Sequence, residues 1–410
     1  MLFKSAAHPG KSVRLAYCMN LHAAETLGEL LENMRRITLP LRERLAKDRE
    51  FGVGMYLPAV LARELANHPA KLAELKRFLD EHALDPFTYN AFPFGGFQTD
   101  GLKERVFEPT WTEQARIDFT LDVATVAARL RSRKGGDSHI SISTHAGMHG
   151  SQLGRDPRAT RERCALSMLT TARTLSQLES STGEYLILSI EPEPRSSCND
   201  TRELNELNLG SARPEWQRHL GVCLDTCHSA VEFESERGAL MRAAQLGAGI
   251  GKMQFSSALS VRNANANAAA VAQLFTLDEP RFLHQVTGRH SDGAFMRAGD
   301  LPDAQSAWES GGWAWRECEE LRCHFHVPVD VERLDAGLST TRAHADALLE
   351  LVLGDRLEWW HRPELHVEIE TYTWDVLPRA ARGAGELVDG LEREYRHVIA
   401  QLERAGWRMA

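Results

Sequence analysis

Short apolar runs alternate along the 410-residue chain with longer stretches in which apolar residues recur every three or four positions. The apolar runs cover residues 15–20, 51–57, 87–92, 139–145, 185–191, 220–225, 250–256, 322–329 and 365–372. Several of them, such as YLILSIE and GVCLD, are apolar at nearly every position. This pattern is typical of strands buried on both faces, as in parallel sheets that are covered by helices.

The stretches between the runs predict helices over residues 25–45, 58–79, 111–130, 158–178 and 339–353, and a final helix over 383–405. Such alternation predicts a parallel α/β fold that closes into a (β/α)₈ TIM barrel, with residues 1–410 as one domain. The sequence contains nine candidate strands for the eight strands of the barrel, and the extra one lies between Gln254 and Val329. We interpret residues 257–320 as an insertion over the C-terminal face, without assigning which strand lies outside the barrel.

The composition is that of a globular protein, with 43% hydrophobic and 26% charged residues. The net charge of -9 is spread along the chain without a basic run, which disfavours nucleic-acid binding. No stretch approaches the ~20 apolar residues of a membrane span, and no secretory signal is recognisable, so we expect a cytoplasmic protein. The seven scattered cysteines indicate reduced thiols, and the lack of a CxxC pair argues against a zinc finger.

Side chains that can bind metal or relay protons stand at the predicted C-terminal ends of the strands, where barrel proteins place their functional groups. They are Asn20, His22, Asn90, His145, Glu191, Glu193, Asp225, His228, Gln254, His326, Glu368 and Glu370. Carboxylates buried together are costly unless a cation accompanies them. Their convergence therefore predicts a divalent metal ion.

Two motifs carry most of this prediction. Asp225 closes the strand in LGVCLDTCHSA and His228 follows three residues later, so both can face the barrel mouth. The simpler alternative is that Asp225 caps the next helix and His228 is exposed. In ILSIEPEP, Glu191 ends a strand before a proline and is expected to point inward. Glu193 is either a substrate-binding group or a solvated loop charge.

A third motif closes the barrel. In ELHVEIETY, His366, Glu368 and Glu370 alternate with apolar residues, so all three should point into the barrel. Glu370 is nearest the C-terminal end and is the better metal ligand, whereas an ion pair with a basic residue in the core is an equal alternative for Glu368. His22 and His145, near the ends of the first and fourth strands, are candidates for contact with substrate hydroxyl groups.

These motifs resemble those of the xylose-isomerase-like superfamily, which includes ketose 3-epimerases, inosose dehydratases and endonuclease IV. GVCLDTCH is similar to the Asp-x-x-His element of endonuclease IV, whose Asp and His bind zinc, and IEPEP and IETY are similar to epimerase elements. The resemblance spans nearly the whole chain and implies that Glu191, Asp225 and Glu370 bind the metal. RHSDGAF, with His290, echoes an endonuclease loop, although Gly288 stands where that loop has Asp.

Within that superfamily the chain is similar to the EboE family of metabolite-traffic proteins. The similarity lies in YCMNLHAAETL, FGVGMYL, YNAFPFGGF, KMQFSSAL, FLHQV, HFHVPV and VEIETYTWDVLP. It implies a link to secondary metabolism and a membrane-bound, prenyltransferase-like partner.

The seventh strand departs from the superfamily pattern, because KMQFSSA offers Gln254 where histidine is usual. As a carbonyl ligand, Gln254 would suit Mn²⁺ or Mg²⁺ better than Zn²⁺. Alternatively, His326 from HFHV or His290 completes the site and Gln254 stands behind it. A buried strand pair that is bonded to the backbone is the simpler explanation of His324 and His326.

Three functions follow from these observations. The first is a metal-dependent isomerase or epimerase of a sugar, polyol or cyclitol, in which Glu191 or Glu370 moves a proton and His228 holds a substrate oxygen. His22, His145, Glu193 and His326 would bind that substrate. The second is a barrel that binds a metabolite and passes it on without chemistry. The third, an endonuclease IV-like phosphodiesterase, is disfavoured by the acidic charge and by Gly288.

Overall fold

The computed structural model describes residues 1–131, 138–207, 209, 213–310, 313–334, 337–354, 359–360, 362–378 and 385–410. Its strands are β1 (Leu2–Ser5), β2 (Ser12–Tyr17), β3 (Phe51–Tyr56), β4 (Leu84–Asn90), β5 (Ile140–His145), β6 (Leu186–Glu191), β7 (Leu220–Asp225), β8 (Ile250–Phe255), β9 (Ser257–Arg262), β10 (Val286–Arg289), β11 (Phe295–Ala298), β12 (Glu320–Val327), β13 (Ser339–Thr340), β14 (Glu364–Ile369) and β15 (Trp407–Met409).

The α-helices are α1 (Leu27–Asn33), α2 (Leu39–Ala46), α3 (Ala59–Asn67), α4 (Pro69–Glu81), α5 (Gln114–Leu130), α6 (Pro157–Thr182), α7 (Thr201–Glu206), α8 (Pro214–Gln217), α9 (Thr226–Val231), α10 (Glu236–Ala243), α11 (Ala268–Phe275), α12 (Leu301–Glu309), α13 (Trp313–Arg316), α14 (Arg342–Leu353) and α15 (Leu387–Arg404). A 3₁₀ turn at Lys103–Phe107 follows β4. Among the described residues, no helix has both the length and the apolar composition of a membrane span.

Eight strands form a closed parallel barrel, in the order β2, β14, β8, β7, β6, β5, β4 and β3. A parallel bridge between Cys18 and Gly54 brings β3 back to β2. A Cβ atom on Gly54 would collide with Oε1 of Glu368, so glycine leaves room for that inward carboxylate at the seam. The predicted (β/α)₈ barrel is confirmed.

The predicted strand over residues 322–329 is the one outside the barrel. It corresponds to β12, the centre of an antiparallel sheet with the order β11, β10, β12, β9 and β13. We call this the second sheet. It begins directly after β8 and continues to Thr340, which is further than the predicted end of the insertion at residue 320. The second sheet packs its own apolar core, which includes Leu259, Phe325 and Trp315.

The last helix, α15, lies within the predicted range of 383–405, of which residues 383 and 384 fall outside the described part of the chain. Its buried side chains include Leu391, Tyr395, Val398 and Leu402. The ring of Tyr395 lies 5.4 Å from that of Phe51 on β3, so the helix is anchored in the main core. All seven cysteines are buried and free, in agreement with the expectation of reduced thiols.

Candidate metal centre

Three buried carboxylates meet at the C-terminal ends of the barrel strands, which we call the mouth. Glu191 ends β6, Asp225 ends β7 and Glu370 follows β14 directly. Each is at most 3% exposed, and one oxygen from each lies within 4.8 Å of the others. The sequence places them together because parallel strands of a barrel all end at the same face.

Asp225 has one oxygen engaged and one free. Its Oδ1 accepts the backbone N–H of His228 at 2.9 Å and the hydroxyl of Ser256 at 2.8 Å, and so caps α9. Its Oδ2 is buried and has no hydrogen-bond partner among the described residues. The capping interpretation and the ligand interpretation therefore each describe one oxygen of the same side chain.

The second sheet brings two histidines of β12 to the same mouth. Nε2 of His228 lies 3.2 Å from Nε2 of His324 and 3.3 Å from Nε2 of His326. The carboxylate of Glu193 joins them, with Oε2 at 3.1 Å from Nε2 of His228. These four residues, together with Glu191, Asp225 and Glu370, are here named the mouth cluster.

The outer nitrogen of each imidazole faces an oxygen that can accept its proton. The acceptors are the Pro192 carbonyl for His228, the Gln285 side-chain oxygen for His324 and the Glu370 carbonyl for His326. When Nδ1 carries the proton, the lone pair of Nε2 points inward. Three lone pairs then converge, which is the arrangement that outer partners give to metal-binding histidines.

Crowding shifts the proton affinities within the mouth cluster. Burial raises the pKa of Glu191 and of Glu370 well above the ordinary value, and the neighbouring carboxylates add to the effect. Burial also raises the pKa of Glu193 to about 7 and lowers that of His326 to about 4. Burial and three neighbouring imidazoles lower the pKa of His324 well below its usual range. Within the described residues no Lys or Arg forms an ion pair with these carboxylates, so the mouth cluster lacks a cation.

These residues fit a divalent ion. The groups with suitably close ligand atoms are Glu191/Asp225/Glu370, Glu193/His228/His324, Asp225/His228/His326 and Cys227/His324/His326. Oε2 of Glu191, like Oδ2 of Asp225, is buried without a hydrogen-bond partner among the described residues. A mixed set of imidazole and carboxylate donors suits Zn²⁺ or Mn²⁺ better than Mg²⁺, which prefers oxygen.

Gln254, predicted as a metal ligand, does not present its carbonyl to the mouth cluster. Its Nε2 donates to Oε2 of Glu370, and its Oε1 accepts the thiol of Cys223. The alternative in which His326 supplies the imidazole agrees with this geometry. His290, the third candidate, lies in the turn between β10 and β11, where its backbone N–H donates to the Ala294 carbonyl at 2.9 Å.

A cleft opens onto the mouth cluster. His22 and His145, which were predicted to contact substrate, are not among the residues that line it. Nε2 of His22 is engaged by the Tyr17 hydroxyl at 2.8 Å. His145 accepts the N–H of Gly147 at 3.2 Å, and its ring packs 5.0 Å from that of Phe92, which separates it from the cleft.

Polar residues around the mouth cluster hold its members in position. Asn20 and Asn90 donate to Oε1 of Glu370 at 2.8 and 3.0 Å. The Tyr372 hydroxyl lies 3.1 Å from Nε2 of His324. Sequence reasoning did not single out Tyr372, although it continues the alternation that places Glu368 and Glu370 on one face. Glu368 pairs with Lys252 in the core, as the alternative interpretation expected.

Comparison with known proteins gives a limited result. No protein-family model and no curated protein sequence matches the chain. A solved structure of a D-tagatose 3-epimerase-like protein is 11% identical, with a TM-score of 0.48 and coverage of 96% of this chain and 98% of that one. The zinc-bound IOLI protein is 15% identical, with a TM-score of 0.35 and coverage of 59% and 72%.

A third solved structure, AP endonuclease family 2 from Brucella melitensis, is 17% identical, with a TM-score of 0.35 and coverage of 59% of this chain and 78% of that one. All three TM-scores are below 0.5. The barrel assignment therefore rests on the strand order, and the metal centre rests on the side chains at the mouth.

Proposed function

We propose that this chain is a divalent-metal-dependent isomerase or epimerase of a sugar, polyol or cyclitol. The observation that carries the proposal is the convergence of three imidazole Nε2 atoms with buried carboxylate oxygens that have no hydrogen-bond partner among the described residues, at a barrel mouth. Asp225, His228 and His326 would hold the ion, with Glu191 and Glu370 beside them. A divalent ion bound there would polarise a carbonyl or hydroxyl oxygen of the ligand.

The chain's own carboxylates provide the proton transfer. Glu191 and Glu370 come from different strands, yet their oxygens lie within 4.8 Å of each other. Two carboxyl groups this close resist simultaneous ionisation, so one can carry a proton while the other accepts one. Asn20 and Asn90 keep Glu370 in a fixed orientation. This pair supports removal of a proton from carbon and its return.

The finer parts of the proposal rest on the sequence resemblance. Membership of the EboE family, a place in secondary metabolism and a prenyltransferase-like membrane partner remain predictions. A small metabolite as ligand, and no nucleic acid as partner, also remain predictions. The two basic side chains that line the cleft, Lys103 and Arg281, both form ion pairs.

Glu370→Gln tests the proposed chemistry. The variant keeps the shape of the side chain but cannot accept a proton from carbon. Deuterium exchange from labelled water into a panel of sugars and cyclitols should therefore fall by about two to four orders of magnitude. Glu364→Gln, the same change at the opposite end of β14, is the matched control. Metal content is equalised at saturating ion before rates are compared.

The absence of exchange by the wild-type protein across the whole panel would contradict an isomerase. A panel member that binds without exchange would instead support the metabolite-binding alternative.

A further inference from the structure

The cleft has two chemically different ends. One end is formed by the members of the mouth cluster other than Asp225. The other is lined by Phe92, Phe97, Leu102, Val106, Phe282 and Leu283. These residues come from three segments: the loop after β4, the 3₁₀ turn at Lys103–Phe107, and the loop between α11 and β10. We call this the apolar end.

The apolar end begins next to the mouth cluster. The rings of Phe97, Phe282 and Tyr372 contact one another, with centroids 4.9 to 5.2 Å apart. The hydroxyl of Tyr372 meets His324 on the other side. A ligand bound at the mouth cluster would therefore lie next to the aromatic rings of the apolar end, with Tyr372 between the two.

The rim of the cleft offers no free cation among the residues that the structure describes. Lys103 lies 2.8 Å from Asp300, and Arg281 lies 3.1 Å from Asp100. Each basic side chain of the lining is thus already in contact with a carboxylate outside it. Recognition of a phosphate or carboxylate depends on basic groups that are available to pair with it. The described lining of the cleft does not supply them.

We propose that the ligand is amphipathic and uncharged away from its reacting end. It carries adjacent oxygens at one end, for the mouth cluster, and an apolar ring or branched group at the other, for the apolar end. A free sugar would engage only the mouth cluster, and a phosphorylated one would place its charge against the apolar end. This inference rests on the proposed function and specifies its substrate class.

Two chelating probes with the same head group test the proposal. Acetohydroxamate and benzohydroxamate each offer two adjacent oxygens, and they differ only in methyl against phenyl. Titration calorimetry on Mn²⁺-loaded protein should show benzohydroxamate binding about 10- to 50-fold more tightly, because the phenyl group buries more apolar area. Titration of each probe into Mn²⁺ alone corrects for the intrinsic affinity of the head group.

Two variants locate the effect. Val106→Thr keeps the side-chain shape and adds a hydroxyl group, and Leu283→Ala removes apolar contact. Each should weaken benzohydroxamate more than acetohydroxamate, by about threefold or more. Val60→Thr is the matched control, since Val60 is 72% exposed on α3, and it should leave the ratio of the two affinities unchanged.

The possible outcomes distinguish a failure of this inference from a failure of the proposed metal-dependent function. Equal corrected affinities for the two probes would overturn the amphipathic ligand while leaving the metal centre intact. Failure of both probes to bind the metal-loaded protein would overturn the metal centre and this inference with it. A benzohydroxamate preference that survives both Val106→Thr and Leu283→Ala would overturn the placement of the apolar group.

Discussion

The two ends of the barrel use the same residue types in opposite ways. At the N-terminal end, Arg14 pairs with both Asp85 and Glu364, and His366 stacks on His139 with ring centres 3.9 Å apart. At the mouth, the carboxylates of the mouth cluster have imidazoles beside them but, among the described residues, no Lys or Arg in an ion pair. The closed end neutralises its charge within the chain, whereas at the open end that role would fall to the proposed metal ion.

The proton affinities follow the same division. Burial alone would raise the pKa of Glu364, but the imidazole of His366, whose Nε2 lies 3.7 Å from Oε2, and the charge of Arg14 outweigh it and hold the pKa below its ordinary value. Glu191 is also buried, but carboxylates surround it and its pKa is raised. The comparison teaches that burial alone does not decide the proton affinity of a carboxylate, whereas the identity of its neighbours does.

Lys252→Met should have the largest effect on stability. Lys252 and Glu368 form a fully buried ion pair one layer below the mouth. Removal of the cation leaves the carboxylate unpaired, so the free energy of unfolding should fall by about 3–5 kcal/mol. Urea denaturation at pH 7 measures it. The double variant Lys252→Met/Glu368→Gln should recover most of the loss, and no recovery would show that the charge is not the cause.

Asp225→Asn and Asp85→Asn form a matched pair across the two ends. Asp225→Asn should weaken Mn²⁺ or Zn²⁺ binding by about 100-fold or more, because an anionic ligand is lost. Asp85→Asn should leave the metal affinity unchanged and lower the stability by about 1–3 kcal/mol, since Arg14 loses a partner. Competition with a chelator and urea denaturation provide the two readouts. Similar metal affinities in the two variants would refute the contrast between the ends.

Glu394→Gln tests the contrast between raised and lowered carboxyl pKa values through the pH dependence of stability. Burial raises the pKa of Glu394, on α15, to about 8. Because the folded-state pKa exceeds the ordinary one, this group's contribution to stability is present at low pH and is lost as the pH rises towards 8. Between pH 6 and 8 the metal-saturated wild type should lose about 2 kcal/mol more than the variant.

Urea denaturation at pH 6, 7 and 8 measures this difference. Glu364→Gln is the control at the closed end: its carboxyl has a lowered pKa and stays ionised throughout this range, so the pH slope should match that of the wild type. Identical slopes for Glu394→Gln and the wild type would count against a raised pKa at that position.

Gln285→Met should have the smallest effect. Gln285 faces Nδ1 of His324 and donates to Oε1 of Glu193 at 3.0 Å, so it orients two members of the mouth cluster without belonging to it. Metal affinity should fall about 10-fold. Gln305→Met, on α12 of the same insertion, should have no effect. Equal affinities in the two variants would mean that Gln285 does not position the histidines.

The barrel and three of its carboxylates were predictable because both depend on local pattern. Apolar runs identify strands, and in a parallel barrel the C-terminal ends of all strands lie at the mouth. Glu191, Asp225 and Glu370 follow from that rule. Their approach to one another needs no knowledge of side-chain packing.

The remaining parts of the site depend on contacts that no local pattern encodes. His324 and His326 reach the mouth only because the second sheet folds back over it. Gln254 turns its amide to Glu370 and Cys223, and His145 is covered by Phe92. In each case a partner distant in sequence decides the orientation of a side chain whose position along its strand was predicted.

Because His324 and His326 lie on the second sheet, the proposed metal centre also bears on how the two parts of the protein unfold. These histidines belong to a sheet with its own apolar core, whereas Asp225 belongs to the barrel. An ion bound by these histidines and by Asp225 would cross-link two separately packed layers. This cross-link would lower the conformational entropy of the insertion when it is unfolded. Loss of the ion would then free the second sheet to unfold before the barrel, so that one melting transition becomes two.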